Sequence, residues 1–113
     1  MVTHKERANT NNGSGNEKIF SEYQRMIEKE VTIINKAGMH TRPASTIVKI
    51  AAKYKSDFYI SKDDFEVNGK SIIGVMTLAA EQGSKLTLKF EGDDEKDFSK
   101  EMIDFFERGF DEL

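Results

Sequence analysis

The sequence predicts an α+β fold, a two-layer open-faced β-sandwich. Segments in which apolar residues alternate with period two, typical of strands, are interspersed with amphipathic helical segments. Their order is strand, helix, strand, strand, helix, strand, helix. Each strand pattern has one apolar face, so one layer of helices is enough to cover the sheet. The chain has 113 residues, which suits a single domain with one core.

The first part of the chain reads differently from the rest. Residues 1–16 are polar and contain glycine without apolar periodicity, so a disordered leader is expected there. From Glu17 to Glu30, apolar residues recur at helical spacing, which predicts an amphipathic N-terminal helix; they are Ile19, Phe20, Tyr23, Met26 and Ile27. The predicted organisation is therefore a leader and helix over residues 1–29, followed by a folded domain over residues 30–113.

The first half of the folded domain contains three predicted strands and one helix. Val31 and Ile33 mark the first strand. A helix is expected over Arg42–Lys55, since Pro43 is tolerated in a first turn. Two short strands follow, rich in aromatic and β-branched residues and joined by a tight polar turn; they span Asp57–Ser61 and Phe65–Val67.

The second half contains two helices and one strand. Ser71 is a good N-cap for a short helix. Next comes a half-buried strand in which Leu86, Leu88 and Phe90 alternate with polar residues. Asp93 is expected to cap the last helix, whose apolar seam consists of Phe98, Met102, Phe105 and Phe106.

Composition and charge exclude several classes of protein. The net charge is −3 with 33% charged residues, which argues against a general nucleic-acid-binding surface. There is no cysteine, so neither disulfides nor a thiolate metal site is expected. No apolar run approaches the length of a membrane span, and the expected location is cytoplasmic, without membrane insertion.

The most informative segment surrounds His40. A strand ends, Gly38 turns the chain, and a helix begins at or just after the histidine. Unpaired N–H groups and the positive end of the helix dipole make this place attractive to an anion such as phosphate, and they favour a neutral imidazole. Arg42 adds a planar guanidinium suited to phosphate oxygens. A histidine that merely caps the helix is the alternative.

The short helix after Ser71 is apolar on two sides. Val75, Leu78 and Ala79 share one arc, which is expected to face the sheet. The opposite arc would then be exposed as a docking surface; it consists of Ile72, Ile73 and Met76. A helix buried on both sides is the alternative. Ser71 either caps the helix only or also accepts a phosphate there.

Two segments together point to a known family. The run from Gly38 to Ala44, with sequence GMHTRPA, resembles the active-site signature of the histidine-containing phosphocarrier proteins of the HPr family. The run from Asn68 to Met76, with sequence NGKSIIGVM, resembles the regulatory-serine segment of the same family. The resemblance implies an antiparallel four-stranded sheet with three helices on one face, over residues 30–113, to which this chain adds the N-terminal helix.

The resemblance also implies a function. His40 would accept phosphate at Nδ1 from phospho-Enzyme I of the phosphoenolpyruvate-dependent sugar phosphotransferase system, and Arg42 would stabilise the phosphate. The recipients would be the IIA components of sugar permeases, and the protein would be a phosphoryl-transfer intermediate rather than an autonomous enzyme. Neither a metal nor another cofactor is expected.

Regulation and docking follow from the same resemblance. Ser71 would be phosphorylated by the bifunctional HPr kinase/phosphorylase and would then contact a transcription regulator. Partners would dock on Ile72, Ile73 and Met76. The alternative is a regulatory HPr-like binding module, in carbon catabolite or nitrogen-branch control, that acts through its phosphorylation state without sugar transport.

Overall fold

The computed structural model describes residues 3–8 and 23–113. The described residues form five strands: β1 (Thr3–Ala8), β2 (Tyr23–Thr32), β3 (Asp57–Lys62), β4 (Phe65–Asn68) and β5 (Lys85–Glu91). They also form three α-helices, α1 (Thr41–Ala51), α2 (Ile72–Thr77) and α3 (Glu95–Glu107), and one turn of 3-10 helix, Gly109–Asp111.

The strands form one antiparallel sheet in the order β1-β2-β5-β3-β4. Alternation decides which side of this sheet is covered. In β5, Leu86, Leu88 and Phe90 are fully buried beneath the helices, whereas the residues between them lie on the open side. The predicted α+β open-faced sandwich is therefore confirmed, with β2, β5, β3 and β4 as its four-stranded antiparallel sheet.

Aromatic side chains hold α3 against the centre of the sheet. Phe58 of β3 stacks on Phe90 of β5 with ring centroids 4.8 Å apart. Phe98 of α3 lies over both rings, at 5.2 Å from Phe58 and 5.0 Å from Phe90. Such pairs add about 0.5–1.5 kcal/mol each beyond the area they bury. This cluster fixes the helix whose far end leads into the site described below.

The prediction of an N-terminal helix over residues 17–30 is wrong for residues 23–30, the part that the structure describes. Residues 23–30 belong to strand β2, and residues 17–22 lie outside the described residues. Ile27 and Val31 are four residues apart, a spacing that places two residues on one face of either a helix or a strand. In β2 both are buried opposite β5, and Lys29 between them shares their face, with its Nζ 3.8 Å from Glu107 of α3.

The expected disordered leader also needs correction. Residues Thr3–Ala8 form β1, which pairs antiparallel with β2 from Thr3 opposite Glu28 to Ala8 opposite Tyr23. The remaining leader residues, 1–2 and 9–16, lie outside the described residues. Polar composition hid this strand, because an added edge strand is stabilised by backbone hydrogen bonds and does not need an apolar face.

The N-cap of α3 is Asp94 and not Asp93. Its carboxylate makes no cap bond but accepts hydrogen bonds from the backbone N–H of Lys55 at 2.8 Å and of Ser56 at 2.9 Å, and from Ser56 Oγ. The Ser56 hydroxyl, followed by the Lys55 amide, lowers the pKa of Asp94 from 3.8 to about 2. Asp94 therefore ties the start of α3 to the start of β3. Helix α1 also ends earlier than predicted, at Ala51.

Candidate functional site

Helix α1 begins directly after His40, as the sequence predicts. His40 is the N-cap residue, with extended backbone angles of φ −103° and ψ −173°, and its side chain makes no cap hydrogen bond. The preceding turn depends on Gly38, whose φ is +71° and whose Cβ, if it had one, would lie 2.7 Å from the carbonyl oxygen of Ala80. The simple capping role is therefore not what holds the imidazole.

The first turn of α1 presents hydrogen-bond donors without backbone partners. Ala44 is the first residue of the helix whose N–H finds a carbonyl, that of His40 at 3.1 Å. In the described part of the chain, the N–H groups of Thr41 and Arg42 donate to no carbonyl, and Pro43 has no N–H. Two free donors at the positive end of an eleven-residue helix form a place where anionic oxygens are stabilised.

A carboxylate that the sequence did not point to lies against the His40 ring. Both oxygens of Glu112 are close to His40 Nε2, Oε1 at 2.9 Å and Oε2 at 2.8 Å. The second oxygen also accepts hydrogen bonds from Arg42, from Nη2 at 3.0 Å and from Nε at 3.3 Å. The Glu112 side chain is only 12% exposed, whereas those of His40 and Arg42 are 38% and 79% exposed. Glu112 therefore brings the two predicted site residues together.

Asn35 donates a hydrogen bond to the Glu112 carboxylate from the buried side. Its side chain is fully buried, and Nδ2 donates to Glu112 Oε1 and to the carbonyl of Gly38, both at 2.9 Å. The hydrogen bond to His40, followed by those from Asn35 and Arg42, outweighs desolvation and lowers the pKa of Glu112 from 4.5 to about 2. Glu112 is therefore ionised at neutral pH. Asn35 was also missed from the sequence, although a polar residue between Ile34 and the glycine turn is a weak signal for it.

The turn after α3 aims Glu112 at the histidine. Gly109, Phe110 and Asp111 all have positive φ, of 63°, 59° and 60°. Phe110 is buried against Phe105 and Phe106 of α3, with ring centroids 5.2 Å and 4.9 Å away. This apolar anchor offsets the strain of left-handed backbone at a non-glycine residue. No short-range sequence pattern predicts such a turn, which explains why Glu112 was not found.

The second predicted site lies at the start of α2. Ser71 is the exposed N-cap residue, and its Oγ accepts a hydrogen bond from the N–H of Gly74 at 3.1 Å. The predicted exposed arc is found as expected, with Ile72 and Met76 each 38% exposed and Ile73 77% exposed. Val75 is fully buried on the opposite arc.

Ala79 departs from the predicted buried arc. It is exposed with a φ of +48°, because α2 has already ended at Thr77. The loop that follows contacts the histidine segment, since the N–H of Met39 donates to the carbonyl of Ala80 at 2.8 Å. The loop after α2 and the turn that precedes His40 are thus joined by a backbone hydrogen bond.

Comparisons with known proteins show the family of this chain. A family model described as "PTS HPr component phosphorylation site" matches residues 27–108. The HPr-like protein Crh of Halalkalibacterium halodurans is 42% identical over 83 residues, which make up 74% of this chain and 99% of that relative. This chain belongs to the HPr family. Phosphocarrier protein HPr of Xylella fastidiosa is 39% identical over 87 residues, 77% of this chain and 98% of the relative.

The fold of this HPr-family chain is found in solved structures as well. The crystal structure of HPr-C-His from Thermoanaerobacter tengcongensis superposes with a TM-score of 0.73 at 42% identity, covering 76% of this chain and 97% of the other. The family match includes His40, Arg42 and Ser71 but ends before Glu112. None of the helices in the described part of the chain has the length and apolar composition needed to cross a lipid bilayer.

Proposed function

We propose that this HPr-family protein carries a phosphoryl group on His40, accepting it from phospho-Enzyme I and passing it to IIA components of sugar permeases. The observation that carries the proposal is the position of the His40 ring at the start of α1, beside Arg42 and two N–H groups that have no backbone partner among the described residues. Phosphoryl transfer mainly requires positioning and charge stabilisation. This arrangement supplies both, and the carrier is proposed to work in the cytoplasm.

Arg42 is proposed to stabilise the phosphoryl oxygens. Its guanidinium is largely exposed and held on one side by Glu112, so its remaining N–H groups are accessible to an arriving phosphate. The N–H groups of Thr41 and Arg42 supply further donors to the same anion. A half-exposed site of this kind holds the phosphoryl group without enclosing it, which suits a carrier that must also release it.

Ile72, Ile73 and Met76 are proposed to dock Enzyme I and the IIA components. They form an exposed apolar arc on α2, and α2 packs against α1, which carries the histidine site. The flexible, unbranched side chain of Met76 can adapt to more than one partner surface, and the two isoleucines supply exposed apolar area beside it. The carrier must meet both a donor and several acceptors, so such an adaptable surface is useful beside the transfer site.

Ser71 is proposed as a regulatory phosphorylation site, modified by an HPr kinase/phosphorylase and then read by a transcription regulator. Its hydroxyl is exposed beside the docking arc. A phosphate there carries about −1.5 to −2 charges. Such a charge would oppose the docking of a partner whose matching surface is apolar or acidic, so phosphorylation of Ser71 would reduce transfer through His40.

A regulatory module without sugar transport is the second candidate, in carbon catabolite or nitrogen-branch control. It is favoured by the similarity to a relative named HPr-like protein Crh. The presence of His40, Arg42 and Pro43 in one intact segment favours the phosphocarrier, because a module that acts only through Ser71 needs none of them.

Labelling with radioactive phosphoenolpyruvate, Mg²⁺ and Enzyme I tests the proposal. The expected product is one phosphate that is labile in acid and stable in alkali. His40→Ala should abolish it, whereas His4→Ala should not, and these are the two histidines of the chain. Equal labelling of the His40→Ala protein would contradict the proposal. Transfer of the label to a purified IIA component would separate the carrier from the purely regulatory module.

A further inference from the structure

Glu112 contacts one particular nitrogen of the His40 ring. Both of its oxygens lie within 2.9 Å of Nε2, whereas Nδ1 makes no hydrogen bond within the described residues. An ionised carboxylate can only accept hydrogen bonds. A glutamate is ionised at neutral pH already at its ordinary pKa of 4.5, and no contact of Glu112 raises that pKa, so Nε2 is the donor.

This contact determines which nitrogen can act as a nucleophile. A neutral imidazole carries one hydrogen, and the nitrogen without it holds the available lone pair. When the hydrogen stays on Nε2, facing Glu112, the lone pair is on Nδ1. A carboxylate that orients a reacting histidine in this way is a general device of catalytic sites.

We infer that Glu112 is a positioning residue for phosphoryl transfer, holding His40 with the hydrogen on Nε2 and the lone pair on Nδ1. This inference rests on the proposed phosphocarrier function and assigns the chemistry of its site. Glu112 lies beyond the residues matched by the family model, so the assignment comes from the contacts of this chain.

The transfer step shows why a carboxylate is useful there. The Nδ1 lone pair forms a bond to phosphorus, and the bond between phosphorus and the donor breaks, its electron pair leaving with the donor. The ring retains its Nε2 hydrogen and gains positive charge as the new bond forms. Glu112, which accepts that hydrogen bond, stabilises the developing charge without taking the proton.

The surroundings of Glu112 keep it in this position. Asn35 holds one oxygen from the buried side, and Arg42 holds the other from the exposed side. An ion pair between Glu112 and Arg42 alone would not require contact with the imidazole. The carboxylate instead places both oxygens on Nε2, which restrains rotation of the ring as well as its tautomer.

The test compares Glu112→Gln with Asp111→Asn. Each change removes one negative charge and keeps the shape of the side chain, but Asp111 pairs with Arg108 and not with the histidine. The side-chain amide that Glu112→Gln introduces can donate as well as accept, so it no longer fixes the tautomer. Glu112→Ala is the second variant, which removes the contact altogether.

Two measurements are made on each protein. In the wild type and Asp111→Asn, ¹⁵N NMR of the neutral His40 ring should show a protonated Nε2 and an unprotonated Nδ1; Glu112→Gln should show a mixture of tautomers. The rate of phosphorylation by phospho-Enzyme I should fall at least about tenfold in Glu112→Gln and Glu112→Ala, since loss of the carboxylate that orients a reacting histidine costs up to about 10⁴-fold in a catalytic triad.

The outcomes separate the two proposals. If the wild type accepts phosphate on His40 while both Glu112 variants keep its ring signals and its rate, the positioning role is overturned and the carrier function stands. A faster rate in the variants also overturns it, because Glu112 would then compete with the phosphoryl group. If the wild type accepts no phosphate on His40, the proposed function fails, and the positioning role fails with it.

Discussion

Arg42 and Glu112 form a two-point contact at the start of helix α1. Arg42 donates to Glu112 Oε2 from Nη2 at 3.0 Å and from Nε at 3.3 Å. The same oxygen lies 2.8 Å from His40 Nε2. One carboxylate thus sets the positions of both the guanidinium and the imidazole, and the functional consequences of changing Arg42 should reflect that shared contact.

Arg42→Ala should slow phosphorylation of His40 by about tenfold or more, because an aligned cationic donor at a site of developing charge is lost. Arg42→Lys should recover part of the rate, since an ammonium keeps the charge but not the fork of N–H groups. The measurement is the initial rate with phospho-Enzyme I. Lys62→Ala, on the β3–β4 hairpin, removes one positive charge away from the site. If this variant lost as much of the phosphorylation rate as Arg42→Ala, the effect would be due to net charge and not to the position of Arg42.

Ser71→Asp should slow phosphorylation of His40 by Enzyme I while leaving the thermal unfolding midpoint nearly unchanged. The added carboxylate remains at the N-cap, where it is tolerated, but it brings charge beside the proposed docking arc on α2. Ser61→Asp on the open face of the sheet is the charge control. An unchanged rate in Ser71→Asp would argue against coupling between the two sites.

Ile73→Ala and Val75→Ala should separate docking from stability. Ile73 is 77% exposed, so its truncation should change the free energy of unfolding by less than about 0.5 kcal/mol. Val75 is fully buried, and its truncation should cost about 1–2 kcal/mol from lost burial and a small cavity. Urea unfolding measures both. Only Ile73→Ala should raise the KM of Enzyme I for the carrier. If Val75→Ala raised the KM and Ile73→Ala did not, the exposed arc of α2 would not be the docking surface.

Asp94 should make the protein sensitive to acid. Its pKa is about 2 when folded, below its usual 3.8, so the native state favours the ionised form. The resulting stability is fully present above about pH 4 and is lost as the pH falls toward 2. The difference in free energy of unfolding between wild type and Asp94→Asn should therefore shrink over that window.

Asp93→Asn is the matched control for that experiment, because Asp93 makes no hydrogen bond to Ser56 or Lys55. Chemical denaturation at several pH values measures both variants. If the wild type and Asp94→Asn differ by the same amount at pH 2 and pH 6, the link between Asp94 and Ser56 does not contribute to acid sensitivity.

Removal of residues 1–22 tests whether the segment before strand β2 is needed for the fold. The core residues of β2, Ile27 and Val31, pair with β5 on the side of the strand away from β1, so the truncated protein should retain a cooperative thermal transition. Its midpoint should remain within a few degrees of the full-length value. Loss of cooperative unfolding would mean that β1 or the residues after it belong to the folding unit.

Elements of this fold whose residue pattern is decided by nearby residues are predicted well from the sequence, and elements that depend on distant strand pairing are not. Strand β5 was predicted almost residue by residue, because Leu86, Leu88 and Phe90 alternate with polar residues on a half-open sheet. Residues 23–30 of strand β2 are predicted as helix and only Val31 onward as strand, because the spacing of Ile27 and Val31 satisfies both periods and the pairing that decides between them is non-local. The β1 strand has even less local signal, since its partner lies further along the chain and its own residues are mostly polar.

The candidate site also combines residues predicted from local patterns with residues that only the tertiary structure brings together. The positions of His40, Arg42 and Ser71 at the starts of α1 and α2 could be predicted from the sequence, because each lies within a short segment whose turn and helix signals are local. Glu112 could not, since it reaches His40 only through the left-handed turn at Phe110 and the packing of α3. Its role depends on tertiary structure, which a pattern of neighbouring residues does not contain.

The contact between Gly38 and Ala80 has a practical consequence for engineering. The carbonyl of Ala80 accepts a hydrogen bond from the Met39 N–H, and it lies close to where a Cβ of Gly38 would be. The loop after α2 is therefore packed closely against the turn before His40. A tag or inserted residue there would displace the turn that leads into His40, even though it touches neither His40 nor Arg42. The hairpin turn at Asp63 and Asp64, which is exposed and joins β3 to β4, is the better point for attaching a fluorophore.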